Sequence, residues 1–258
     1  MADKLSFLEE KEQFAANLIK RNFTGGMNIM RKVLLSSAII MAMGSVSFAG
    51  HAAESATLSV TGVISPAACD VELSSASVDY GTVQASTLTS TMNQLEAPTV
   101  TVSVACDAAT AVAVQTVDNR SNSAMTLSEI ESNLGVTFPQ LIDTNVFGLG
   151  NDSAGNKVGA LMLAISDATL NGTAGSNLLS SSDKLTWSTK TISPTASYVL
   201  TKNGYFALGN SADSVTPAVV TNASYTIKSN VLLKRSDKYP SGEQVNIDGN
   251  VTFSVVYL

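Results

Sequence analysis

Histidine is all but missing from this chain. The single one, His51, precedes the region that reads as the mature protein. Ser-His-Asp and Cys-His nucleophile arrangements and histidine metal sites therefore have no imidazole to use. Charge is scarce as well: 14% of the 258 residues are Asp, Glu, Lys or Arg, against roughly 25% in ordinary soluble proteins. Basic residues are the scarcest part of it. From Glu54 onward there are 9 Lys and Arg against 17 Asp and Glu, a net charge of −8. The small cluster Lys228, Lys234, Arg235 and Lys238 does not reverse that balance, which argues against nucleic acid as a partner because such binding needs a basic footprint. No phosphate-cradling glycine loop and no GxSxG elbow is present. The carboxylates Asp118, Asp152, Asp167 and Asp183 occur singly among turn residues, and the Asn-Asp-Gly cluster at 151–156 has one acidic residue and no late glutamate, short of a calcium loop. The expectation is a protein that is not an enzyme and carries no cofactor or metal.

Long apolar runs are missing too, with one exception. Val33 to Ala49 is a stretch of 17 residues interrupted by serines and a glycine, too short and too polar to be a good membrane span. It follows Arg31 and Lys32 and ends in small residues, the pattern of an export signal covering residues 27–52, cut near Ala52 or Ala53. Residues 1–26 have a charged, helical pattern unlike the rest and read as an upstream extension outside the mature chain, with translation starting at Met27 or Met30. Two cysteines remain, Cys69 and Cys106, 37 positions apart and in no CxxC motif. Downstream of an export signal such a pair reads as a structural disulfide.

What the chain does have is Ser, Thr, Ala and Val arranged with period two. Leu58, Val60, Gly62 and Ile64 fall on one face of an extended segment, with Thr57, Ser59 and Thr61 on the other. At the opposite end Val251, Phe253, Val255 and Tyr257 share a face. Two half-apolar strands at the ends of a small exported all-β chain suggest a sheet closed by strand exchange between molecules, the behaviour of a fibre building block. Between them, Val100, Val102, Val104 and Cys106 alternate inward, and Val112, Val114 and Thr116 continue the period. VDYGTV at 78–83 reads as a short strand; NVFGLG and KVGALMLAIS flank a turn-rich NDSAGN; YVLTKNGYFALG reads as two strands about a Lys-Asn-Gly turn with Asn203 and Gly204 at positive φ. LSEIESNLG allows one helical turn or a short helix, and no other helix or internal repeat is evident. The lone Trp187, on a Thr-rich strand edge, reads as packing rather than a sugar platform.

GVISPAAC at 62–69, the cysteine partner some forty residues on, VDYGTV, and an alternating C-terminal strand with Tyr257 penultimate together resemble subunits of chaperone-usher pili. FGLG followed by KVGALMLAISD and then LSSSDKLTW resembles the beta-fimbrial branch, catalogued mostly as a domain of unknown function. The resemblance spans the mature chain. It implies an incomplete immunoglobulin-like β-sandwich over residues 66–258, preceded by a donor-strand region at 53–65, with Cys69 and Cys106 as the family disulfide. It also implies that the missing strand leaves an apolar groove, filled first by a periplasmic chaperone and then by the N-terminal segment of the next subunit. Leu58, Val60, Gly62 and Ile64 would donate. Val251, Phe253, Val255 and Tyr257 would form the strand beside the groove, with Leu258 offering its carboxylate to chaperone basic residues. The partners implied are the chaperone, an outer-membrane usher, neighbouring fimbrial subunits and a host or surface glycan, on a cell-surface fimbria. Val245 stands where the family usually has glycine, and only about nine mature residues precede Gly62. The alternative is a carbohydrate-binding tip adhesin or a stand-alone periplasmic binding protein.

Overall fold

The computed structural model describes residues 57–258 apart from Pro66, Ser176 and Pro194. The upstream extension at 1–26, the export signal at 27–52, the first residues of the donor region and the break expected at Pro66 lie outside the described residues. The chain divides between Thr61 and Gly62 into two units. Of the first, residues 57–61 are described; they are exposed and belong to no strand.

The second unit is all-β with one short helix. Its strands are β1 (Cys69–Leu73), β2 (Met92–Glu96), β3 (Val100–Asp118), β4 (Gly159–Leu170), β5 (Thr173–Ala174), β6 (Asn177–Ser181), β7 (Ser188–Thr191), β8 (Tyr198–Val199), β9 (Tyr205–Leu208), β10 (Val219–Lys234) and β11 (Val251–Tyr257). The pairing is antiparallel throughout. Strand β3 organises the curled sheet. Its first half lies between β1 and β10, its second half between β11 and β9. The exposed run Asp107-Ala108-Ala109 marks the passage, and there the register with β10 shifts. A strand keeps its inward parity through such a bend only if the apolar period holds: Val102 and Val104 on one side of it, Val112, Val114 and Thr116 on the other, are all buried. Two layers thus share one core. Phe206 of β9 meets Tyr225 of β10 edge to face at 4.8 Å and Phe253 of β11 at 6.4 Å, the arrangement that aromatic quadrupoles favour.

Strands β4 and β10 are buried on both faces at one end, which explains the unbroken LMLA and VLL runs. Leu161, Leu163, Val231 and Leu233 face the shared core, whereas Ala160, Met162 and Leu232 face helix α1 (Leu127–Leu134) through Ile130 and Leu134. The helix starts at a capping box: the Thr126 hydroxyl accepts from the Glu129 N–H, and the Glu129 carboxylate accepts from the Thr126 N–H. It stops at Gly135, whose φ of 66° is the left-handed conformation that suits glycine at this position. The outer face of the other layer carries Ala113, Leu179 and Ala207 under Trp187, whose indole N–H donates to the Lys184 carbonyl. The tryptophan is packing, as expected.

Several expected strands are absent or differently paired. Pairing begins at Cys69, not at Thr57, and the apolar row of the arm stays exposed, Leu58 and Val60 at 87% and Ile64 at 100%. Residues 78–83 form no ladder, because Gly81 takes φ 62° in a turn held by the Asp79 carboxylate accepting from its N–H. The expected hairpin at 198–208 opens instead: β8 pairs with β4 in one layer and β9 with β3 and β6 in the other. Asn203 has positive φ as expected; Gly204 does not. The NDSAGN hairpin is present as two isolated bridges, Asn151 with Lys157 and Phe147 with Leu161.

Candidate functional site

Cys69 and Cys106 sit directly opposite each other in the β1–β3 ladder and are bonded. The disulfide therefore pins the first strand to the strand both layers share. Along that same edge of β3, β11 continues where β1 stops. On the β1 side the Ser74 N–H donates to the Thr101 carbonyl and the Asp107 N–H to the Ala68 carbonyl. On the β11 side the Asn119 N–H donates to the Asn250 carbonyl at 2.9 Å and the Leu258 N–H to the Ala111 carbonyl at 3.2 Å. Because backbone groups alternate in direction along a strand, Thr252, Ser254 and Val256 turn theirs toward β3, and Val251, Phe253, Val255 and Tyr257 turn theirs outward. No strand among the described residues pairs with that outer edge. A row of unpaired backbone donors and acceptors is a template for another strand.

Beside this edge lies a groove of about 1300 Å³, larger than the ~300–1,000 Å³ of ordinary small-molecule sites. Leu73 of β1 and Val251 and Phe253 of β11 border it. Its floor is the core face of β4 and β10: Leu161, Leu163, Ile227, Ser229, Val231 and Leu233. Two irregular segments form its walls. One, at 239–250, is anchored by Arg120, whose guanidinium makes two hydrogen bonds to the Asp248 carboxylate, and by the Asp248 N–H donating to the Leu149 carbonyl. Tyr239 on this wall donates its hydroxyl to the Val158 carbonyl and accepts from the Lys234 N–H, with the Lys234 ammonium 4.8 Å from its ring. Burial pushes this phenol up to about 12, so it stays neutral at physiological pH. The other wall, at 75–83, is tied down by Tyr80, whose hydroxyl lies 3.1 Å from the Ser229 hydroxyl on the floor. The charged residues lining the groove, Asp79, Asp237 and Glu243, are all acidic. Asp237 is paired with Arg235. Among the described residues no three His, Cys, Asp or Glu side chains gather as a metal donor set.

Of the residues singled out by sequence, the structure joins Cys69 to Cys106 and places Val251, Phe253 and Val255 half-buried against the core. Tyr257 and Leu258 at the strand's end are more exposed, and the Tyr257 hydroxyl accepts from the Cys69 N–H. Gly62 and Ile64 are exposed. The groove floor on β4 and β10 was not singled out. Its signal is nevertheless present in the row Tyr225, Ile227, Ser229, Val231 and Leu233, an apolar alternation with one serine in it.

The fold and groove define an all-β protein in which the outer edge of β11, unpaired among the described residues, borders a groove with an apolar floor. A family model described as "Protein of unknown function (DUF1120)" matches residues 58–162. The chain is similar to Protein GltF of Escherichia coli (strain K12), 27% identical over 252 residues, covering 88% of this chain and 99% of that one. It is also similar to the Uncharacterized protein YhcF of the same strain, 24% identical over 245 residues, with 88% and 98% covered. No solved structure matches the chain.

Proposed function

We propose that the protein is a structural subunit of a bacterial surface fimbria, exported through the periplasm and assembled by a chaperone and an outer-membrane usher through strand donation between subunits. The observation that carries this reading is the groove with an apolar floor beside the outer edge of β11, with which no strand among the described residues pairs. A strand laid along β11 would recover the outward backbone groups of Val251, Phe253, Val255 and Tyr257 and place alternate side chains over the floor. The segment with that alternation in this chain is the exposed row Leu58, Val60, Gly62 and Ile64. Burying its three large apolar side chains is worth on the order of 5 to 9 kcal/mol before ordering costs. The C-terminal end of β11, with Leu258, is where the chaperone would take hold first. Deleting residues 54–61 tests the assignment: chaperone-bound monomer should still form while fibres disappear, and normal fibres without that segment would refute it.

A further inference from the structure

Among the described residues, β1, β2, β7 and β11 are the strands longer than two residues that pair on one side only. Each leaves a row of backbone donors and acceptors with which another copy of the chain could pair. Strands β2 and β7 carry Glu96 and Lys190, and β1 carries Asp70 and Glu72, whereas β11 has no charged residue. The β1 edge lies in line with the β11 edge along β3. The two edges are therefore told apart by their side chains, not by their place.

Strand β1 bonds to β3 through its even-numbered positions, as the Ala68 carbonyl and the Ser74 N–H do at its two ends. Cys69, Val71 and Leu73 thus turn their backbone groups outward, and the Tyr257 hydroxyl takes the N–H of Cys69. Asp70 and Glu72 stand exposed, across the ladder from the uncharged Ala105 and Ser103. Neither forms an ion pair among the described residues. A second copy laid antiparallel on this edge, with Val71 opposite its counterpart, sets Asp70 against Glu72 of the other copy and Glu72 against its Asp70. In that pairing these are the positions without ladder hydrogen bonds, where facing side chains come closest. Like charges directly opposite destabilise a strand pair.

We propose that Asp70 and Glu72 close the β1 edge to a second copy of the chain. Their role does not depend on what β11 takes; that it leaves β11 as the uncharged edge for joining copies rests on the strand-donation reading. The repulsion occurs twice across the two-fold axis, so it depends on the sign of both charges together and not on either side chain alone.

Substituted full chains test this, with association read by sedimentation equilibrium and its place by amide hydrogen exchange. Asp70→Lys alone, or Glu72→Lys alone, sets opposite charges against each other twice. Each should associate at least about tenfold more tightly than the chain carrying both substitutions, in which like charges face again. Asp70→Thr with Glu72→Thr should fall between them. In the single variants the amides of Val71 and Leu73 should slow with rising concentration; in the unsubstituted chain they should stay fast in both monomer and assembled material. Equal association across the series overturns the proposal, as does association without slowing at Val71 and Leu73, or slowing there in the unsubstituted chain. Strand donation is read separately, at the amides of Val251, Phe253 and Val255. If those stay fast in assembled material, strand donation fails while the role of Asp70 and Glu72 stands.

Discussion

The Tyr257 hydroxyl accepts a hydrogen bond from the Cys69 backbone N–H at 2.8 Å, joining the last strand to the first where the disulfide crosses to β3. The two strands lie end to end on one edge of β3, and this bond spans the junction. It is exposed, so its contribution falls at the lower end of the ~0.5–1.5 kcal/mol of a net hydrogen bond. Tyr257→Phe should lower the unfolding free energy by about 0.5 kcal/mol in denaturant titration. The slope should not change, because the surface buried on folding is the same.

The disulfide closes a loop of 37 positions between residues directly opposed in the ladder. In the chain-entropy model such a closure stabilises by about 3 to 4 kcal/mol. Replacing both cysteines by serine should lower the unfolding free energy from denaturant titration by that amount while the Phe206, Tyr225 and Phe253 cluster, remote in sequence from the bridge, keeps its near-ultraviolet signature.

Thr116 is the one described residue with a fully buried side-chain polar atom that lacks a hydrogen-bond partner. It faces the core from the second half of β3, opposite Phe253. Thr116→Val keeps the branched shape and removes the desolvated hydroxyl. We expect stabilisation of about 1 kcal/mol, read as a raised thermal midpoint; a lowered midpoint would show that the hydroxyl is satisfied in solution.

Glu129 accepts from the Lys157 ammonium at 2.7 Å and from the Thr126 N–H, and these bonds hold its carboxyl below the ordinary value of 4.5. A carboxyl lowered in the folded state stabilises fully above its unfolded value, and that stability is lost as pH falls through the folded one. The fall should therefore begin near pH 4.5 and continue below it. Glu129→Gln should flatten this part of the stability profile, with little change in the slope at neutral pH; an unchanged acid limb would show the pair is screened by solvent.

How far the sequence conveyed all this depends on whether a segment's neighbours were local. Val100 to Cys106 and Val112 to Thr116 declared their faces because burial on one side imposes a two-residue period. The 78–83 segment has the composition of a strand and packs Tyr80 and Val83 against the core, yet joins no ladder among the described residues, since Gly81 and Asp79 turn the backbone. The hairpin expected around Asn203 was overruled by tertiary pairing, which sends Tyr198–Val199 and Tyr205–Leu208 to different layers. Strand β11 was legible as a strand, whereas the row Leu58, Val60, Gly62 and Ile64, read as one from the same alternation, forms none. The floor of the groove was not, because Leu161, Leu163 and Val231 look like ordinary core until the unpaired edge beside them is seen.

The outward edge of β11 gives the most direct test of the central claim. Amide hydrogen exchange on the monomer and on assembled material, resolved along residues 251–257, should find Thr252, Ser254 and Val256 protected in both. The amides of Val251, Phe253 and Val255 should be fast in the monomer and slow in the assembly. Equal protection of both sets in the monomer would mean the edge is already paired, contradicting strand donation between subunits.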